Sequence, residues 1–256
     1  MLNAEIVQLP CLKDNYCFLL HDFDSNITAV IDTPDANAIE AALEARGWQL
    51  DYILTTHHHW DHIDGHEALK QRYNCQVIGP RLNENVIPDI DQRVEGGDVL
   101  QLGGIDIQVI ATPGHTLGHV CYWSQQLEAV FVGDTLFSMG CGRLFEGSPA
   151  QMWQSIQLLR DLPDTTAIYC GHEYTQNNAL FALALEPDNQ RLLMRCDEVD
   201  ILRAKGLPTL PTNVQQEMQT NPFMRADVVG LQQALGMSGA DPAAVFAEIR
   251  LRKDQA

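Results

Sequence analysis

Between His57 and His62 the chain carries four side chains that bind metal ions well: His57, His59, Asp61 and His62. The run Thr55-Thr56-His57-His58-His59-Trp60-Asp61-His62 follows Tyr52-Ile53-Leu54-Thr55, whose β-branched and apolar residues read as a buried strand. The donors therefore stand where a strand empties into a loop at a sheet rim, where α/β proteins place their sites. In a near-extended backbone, residues two apart point the same way, so His57 and His59 can converge on one ion. Asp61 and His62 are adjacent and need a turning backbone, which suits a second ion beside the first. A solvated histidine-rich loop is the bland alternative. A chance His-x-His-x-Asp-His has a probability on the order of one in a thousand, so metal binding is the better reading.

Three later segments repeat the arrangement of a strand whose end delivers one ligand. Ile107 to His115 places His115 beyond a strand and a Pro-Gly turn, Ala129 to Asp134 ends on Asp134, and Ala167 to His172 ends on His172. Singly, each reads as a turn or capping residue. Together they complete a ligand set in which Asp134 bridges. One ion takes His57, His59, His115 and Asp134; the other takes Asp61, His62, His172 and Asp134. Imidazole and carboxylate without thiolate suit zinc, iron or manganese and do not select among them. Coordination positions left for water make such a site catalytic rather than structural.

The elements that must position these donors follow from periodicity. Strands are expected at Ala4 to Leu9, Tyr16 to His21, Ile27 to Ile31, Gln76 to Gly79, Val99 to Leu102, Ile105 to Ala111, His119 to Trp123, Ala129 to Val132 and Ala167 to Cys170. Helices are expected at Ala36 to Arg46, Gly65 to Tyr73 and from Ser148, an N-cap followed by proline, to about Leu162. Residues 80 to 98 are polar and Gly-punctuated and read as loop. Beyond His172 strand signals vanish and helical periodicity takes over, at Tyr174 to Leu185, Asn189 to Lys205, Val214 to Gln219, Val228 to Leu235 and Pro242 to Arg252. The expected organisation is an α/β domain over 1–173 and a helical domain over 174–256.

Composition narrows the partners. The chain has 256 residues, room for a sizeable core, and a formal net charge of -18. That charge argues against nucleic acid and against docking on anionic membranes. The N-terminus shows neither the basic nor the apolar stretch of a secretory signal, and no window is long and apolar enough for a membrane span. The seven cysteines are odd in number and include no Cys-x-x-Cys pair, which fits a reduced, cytoplasmic setting. Cys11, Cys17, Cys75, Cys121 and Cys196 are expected as small core residues. His21, His58, His66 and His119 are read as ordinary hydrogen-bonded histidines outside the site.

The string Thr56 to His62, with His115, Asp134 and His172, resembles the metallo-β-lactamase superfamily. The likeness is closer to glyoxalase II, the hydroxyacylglutathione hydrolases, on Ala111-Thr112-Pro113-Gly114-His115-Thr116, Gly133-Asp134-Thr135-Leu136-Phe137, Gly140-Cys141-Gly142-Arg143, Cys170-Gly171-His172-Glu173-Tyr174-Thr175, Asn221-Pro222-Phe223-Met224-Arg225 and Arg252-Lys253-Asp254. It covers essentially the whole chain.

The resemblance implies a four-layer αββα sandwich of mixed sheets with a C-terminal helical domain. It implies two divalent ions, zinc first with iron or manganese as alternatives. The implied reaction is hydrolysis of S-lactoylglutathione to D-lactate and glutathione, the step of methylglyoxal detoxification, by a cytoplasmic monomer. Glutathione contacts fall on Arg143, Phe145, Tyr174, Arg250 and Lys253. Asp61 and Asp134 become the catalytic carboxylates, Asp134 bridging and orienting the attacking water and Asp61 hydrogen-bonding it. The sequence departs from the family at Phe145, where some relatives have tyrosine, and at Ile63-Asp64-Gly65-His66, where small residues are usual. The alternatives are another hydrolase on the same metal core (lactone, β-lactam or phosphodiester), a di-iron redox protein, or a binding module without catalysis.

Overall fold

The computed structural model describes residues 2–83 and 85–256. The chain forms two compact units, Met1–Ala111 with Gly118–Gly133, and Thr112–Leu117 with Asp134–Ala256.

The first unit begins with β1 (Ala4–Cys11), β2 (Asn15–Asp22) and β3 (Ile27–Ile31), paired antiparallel in succession. After α1 (Ala36–Arg46) comes β4 (Tyr52–Leu54), parallel to β3. Then α2 (Trp60–Ile63) and α3 (His66–Tyr73) lead to β5 (Gln76–Pro80), and β6 (Gln92–Val94) extends the parallel part of this mixed sheet. Parallel neighbours require crossovers; α1 supplies the one from β3 to β4, and α2 with α3 the one from β4 to β5. Every residue of β2 is buried, because the strand has neighbours on both faces. Cys17 and Leu19 join Ile39 and Leu43 of α1 and Leu69 of α3 in one apolar cluster. Phe18, pointing the other way, meets Phe131 at 5.5 Å between ring centroids.

Phe131 belongs to the unit's second sheet. There β7 (Val99–Leu102), β8 (Ile105–Ala111), β9 (Val120–Ser124) and β10 (Ala129–Gly133) run antiparallel. Strands β7 and β8 alternate exposed with buried residues, the mark of a sheet with one wet face.

The second unit opens with a short hairpin, β11 (Leu136–Phe137) and β12 (Gly140–Cys141). Helix α4 (Pro149–Arg160) starts on the expected capping box, the Ser148 hydroxyl accepting from Gln151 N and the Gln151 side chain from Ser148 N. Strand β13 (Ala167–Cys170) is followed by α5 (Thr175–Leu185), α6 (Gln190–Ala204), β14 (Thr212–Asn213), α7 (Val214–Thr220), α8 (Val229–Leu235) and α9 (Pro242–Asp254). Strand β14 pairs antiparallel with β13.

The sequence-based expectations need correction at short elements. Residues 80 to 98, read as loop, contain a 3-10 turn at Arg81–Asn83 and strand β6. Gln-Arg-Val is too short and too exposed to show alternation. A hairpin at residues 136–141 adds to the expected strands, and strand structure does not end at His172, because β14 follows it. Two-residue strands carry no periodic signal at all. All seven cysteines are buried, and none is in a disulfide. Among the described residues no helix is long and apolar enough to cross a membrane.

Candidate metal centre

In the first unit the donors follow β4, as the sequence reading expects, and the turn needed after His59 is the single helical turn α2. One ligand atom of His57 lies within 4.8 Å of one from His59 and one from His62, and Asp61 approaches His62 equally closely. His57 Nε2 and His59 Nδ1 are 3.0 Å apart, and His62 Nε2 is 3.9 Å from Asp61 Oδ2.

What fixes these rings is Asp32, at the end of β3, with φ +59. Its carboxylate accepts from Thr56 N and from the Thr56 hydroxyl, both at 2.8 Å, and from His62 Nδ1 at 2.8 Å. Since Thr56 Oγ1 gives its hydrogen to Asp32, its contact with His57 Nδ1 at 3.0 Å is one in which the ring donates. Both His57 and His62 are thereby set in the tautomer that leaves Nε2 as a lone-pair donor for an ion. Asn15 performs the same service for Asp61, donating from Nδ2 to Oδ2 at 3.1 Å and to the carbonyl at 3.2 Å.

Within the second unit Asp134, His115 and His172 are all buried. Asp134 Oδ2 lies 3.4 Å from His115 Nε2 and 3.5 Å from His172 Nε2. His115 Nδ1 donates to the Arg143 carbonyl at 2.8 Å, again leaving Nε2 as the lone-pair atom. The His172 ring stacks on Tyr174, with centroids 4.7 Å apart and planes 4° from parallel. Each unit thus holds a His/Asp cluster, and the rings whose far nitrogen is tied to an oxygen present the other. That donor chemistry fits divalent metal ions, without distinguishing which.

The residues expected to touch glutathione all lie in the second unit. Arg143 and Phe145 are exposed, and the Phe145 ring stands 5.2 Å from that of His115. Lys253 is half-buried, donates to Asn177 O at 3.0 Å and lies 5.0 Å over the Phe181 ring. Burial lowers its ammonium pKa, and the nearby charges of Arg250 and Arg143 lower it further. Arg250 is buried; it donates to Cys141 O at 3.0 Å and pairs with Asp254 at 2.9 Å.

Sequence reasoning missed Asp32, Thr56 and Asn15. Asp32 opens an Asp-Thr-Pro stretch that reads as a turn, and nothing local announces a partner thirty residues away. Of the histidines left outside the ligand set, His119 lies just before β9 rather than within it and packs on His57 at 4.8 Å between centroids. His66, in the departure from the family run, is buried against Thr55 Oγ1 at 3.1 Å. Gly133, immediately before Asp134, adopts φ +46, and a Cβ there would meet Thr56 Oγ1 at 2.6 Å. Glycine is required by both conformation and space.

Residues 14–172 match the family model described as Metallo-beta-lactamase superfamily, the class whose fold and His/Asp clusters this chain displays. Residues 173–256 match the model described as Hydroxyacylglutathione hydrolase C-terminus. A hydroxyacylglutathione hydrolase of Brucella anthropi is 54% identical over 98% of this chain and 97% of its own length. One of Ruegeria pomeroyi is 51% identical over 99% of each. The chain belongs to the hydroxyacylglutathione hydrolase family. Among solved structures, ETHE1 from Myxococcus xanthus aligns at TM-score 0.67 and 25% identity, covering 97% of this chain and 98% of that one. BLEG-1 B3 metallo-beta-lactamase shares the fold at TM-score 0.68 and 22% identity, over 86% of this chain and 99% of its own.

Proposed function

We propose that the chain hydrolyses S-(2-hydroxyacyl)glutathione thioesters, chiefly S-lactoylglutathione, giving D-lactate and glutathione. The observation that carries the substrate class is the crowding of Arg143, Arg250 and Lys253 in a protein of net charge -18. Like charges are gathered at such a place to receive anions, and glutathione has two carboxylates. Arg143 also ties that patch to the chemistry, since its carbonyl holds His115. The family and the C-terminal match favour this reading over the lactone, β-lactam, phosphodiester and redox alternatives.

The ligand assignment is His57, His59, His115 and Asp134 for one ion and Asp61, His62, His172 and Asp134 for the other. Two divalent ions, zinc the first choice, supply acidification of water and polarisation of the thioester carbonyl when bound. The chain's own residues do the rest. Asp32 and the Arg143 carbonyl hold the rings of His57, His62 and His115 in fixed tautomers. Asp61, oriented by Asn15, would accept the hydrogen bond of a water held at the site, and Asp134 would be the carboxylate shared by the two ions. Tyr174, stacked on His172, flanks the acyl-thiol end of the substrate while Arg143, Phe145, Arg250 and Lys253 hold the peptide. A thiol leaving group has a pKa of about 8.5, so it departs as thiolate and no protein acid is required. Residues 1–173 form the catalytic domain in this scheme and 174–256 the glutathione-binding part, acting as a monomer in the cytoplasm.

The test is purified protein, analysed for metal and then assayed by loss of S-lactoylglutathione absorbance. Turnover that tracks bound metal is expected. Metal-loaded protein with no thioesterase activity, yet active on a lactone or β-lactam, would overturn the proposal.

A further inference from the structure

Asp134 stands two positions before the β11–β12 hairpin and Arg143 two positions after it. The hairpin's turn places Met139, a non-glycine residue, at φ +56, an uncommon conformation that contacts from outside the turn help to hold. Glu217 of α7 does so. It is completely buried. Its Oε2 accepts from Met139 N at 2.8 Å and from Asn221 Nδ2 at 2.9 Å. Its Oε1 accepts from the hydroxyls of Thr212 at 2.7 Å and Ser138 at 3.1 Å. Asn221 Nδ2 also faces Phe137 O at 3.1 Å and Gly140 O at 3.0 Å, and Asn178 donates to Ser138 O at 3.1 Å. A Cβ on Gly140 would lie 2.3 Å from Asn178 Nδ2, so the clamp closes only over glycine.

Downstream the same backbone reaches the cations. Arg250 donates to Cys141 O at 3.0 Å, Gly142 N to Thr135 O at 3.4 Å, and Arg143 O accepts from His115. A carboxylate so deeply buried is costly to ionise; burial raises its pKa, against the opposing pull of Thr212, Met139, Asn221 and the charge of Arg195. An apolar side chain would fill the volume with no such penalty. It could not gather donors from the hairpin, β14 and the start of the Asn221 turn onto one point.

We propose that Glu217 is a positioning residue for the substrate: by fixing the β11–β12 turn it sets, through Cys141 O, Arg250 and Arg143, the cationic cluster that receives the glutathione carboxylates. This rests on the glutathione-thioester reading. Glu217→Gln keeps the volume but turns a donor toward at least one of the four donors it faces.

The experiment compares metal-loaded wild type, Glu217→Gln, Arg250→Met and the double variant. It measures kcat and KM for S-lactoylglutathione, the Kd of glutathione by calorimetry, metal content and the melting curve. In Glu217→Gln, KM and the glutathione Kd rise about five- to tenfold, while kcat stays within about twofold and metal content is unchanged. The double variant is no worse than the poorer single one, since both changes act on one chain of contacts. A folded Glu217→Gln with wild-type KM, or effects that simply add, overturns the proposal. Should Glu217→Gln fail to fold, Thr212→Val removes a single hydroxyl donor and carries the same test, with a KM rise of about twofold expected and an unchanged KM overturning it. Wild-type turnover is read separately, so failure of the variants' pattern falls on Glu217 alone. A wild type that neither cleaves the thioester nor binds glutathione overturns both readings.

Discussion

The two units anchor their candidate ligands by different means. In the first, side chains hold side chains: Asp32 orients His62 directly and His57 through Thr56, and Asn15 orients Asp61. In the second, the main chain does the holding: the His115 ring leans on the Arg143 carbonyl, and Phe145 N donates to the His115 carbonyl. A side-chain anchor can be removed by one substitution. A main-chain anchor can be disturbed only by moving the backbone, so the second unit's precision is spread over many residues.

The largest effect is expected where the second unit's two histidines meet. Asp134 has one oxygen near both His115 and His172, so Asp134→Ala should lower metal content and thioester hydrolysis together, the latter on the order of a thousandfold. Metal analysis beside steady-state kinetics decides it. Full occupancy with normal turnover would remove Asp134 from the bridge. The first unit should break one step further out. Asp32→Ala touches no ion yet releases two rings, and metal affinity should fall roughly 10- to 100-fold by competition with a chelator. If affinity is unchanged, the side-chain network is scaffolding for the fold and the contrast between the units is empty.

Those two residues also show what was legible in the sequence. The metal-binding string could be read because few residue types bind metal and six positions held four of them. The fold class followed from strand and helix periods and from the motifs. Asp32 could not be read: its partners lie 24 and 30 positions on, and only the folded sheet sets the end of β3 beside the end of β4. Glu217 was equally silent, since a glutamate in Val-Gln-Gln-Glu-Met-Gln looks like one more solvated residue of a polar helix. The short hairpin it clamps has too few residues for any period. Ligand chemistry is written locally; the means of holding it is written in long-range contacts.

His66 sharpens the comparison through pH. It is buried behind the ligand strand against Thr55, and burial lowers its pKa to about 4 from an ordinary 6.5. Below pH 6.5 the unfolded chain therefore takes up a proton that the folded chain refuses until about pH 4. Stability from this group is present above pH 6.5 and is lost as pH falls toward 4, about 2 kcal/mol of it by pH 5. Denaturant titrations at pH 7 and pH 5 should show that loss in wild type and less of it in His66→Asn. Equal losses in both would mean that the acid sensitivity lies elsewhere.

The smallest effect belongs to the second unit's surface. Phe145 is exposed, with its backbone N–H on His115 O at 3.2 Å and its ring edge-on to the His115 ring. Its position is thus set by the backbone and by a ring contact that a tyrosine would keep. Phe145→Tyr should therefore add a hydroxyl without moving anything, and one new hydrogen bond to the glutathione peptide is worth about 0.5–1 kcal/mol. KM for S-lactoylglutathione should fall about two- to fivefold at constant kcat. A thioester of a short thiol, which lacks the peptide, should show no change and serves as the control. If both substrates gain equally, the hydroxyl acts near the acyl group instead, and the division between a metal-holding and a peptide-holding side of His115 fails.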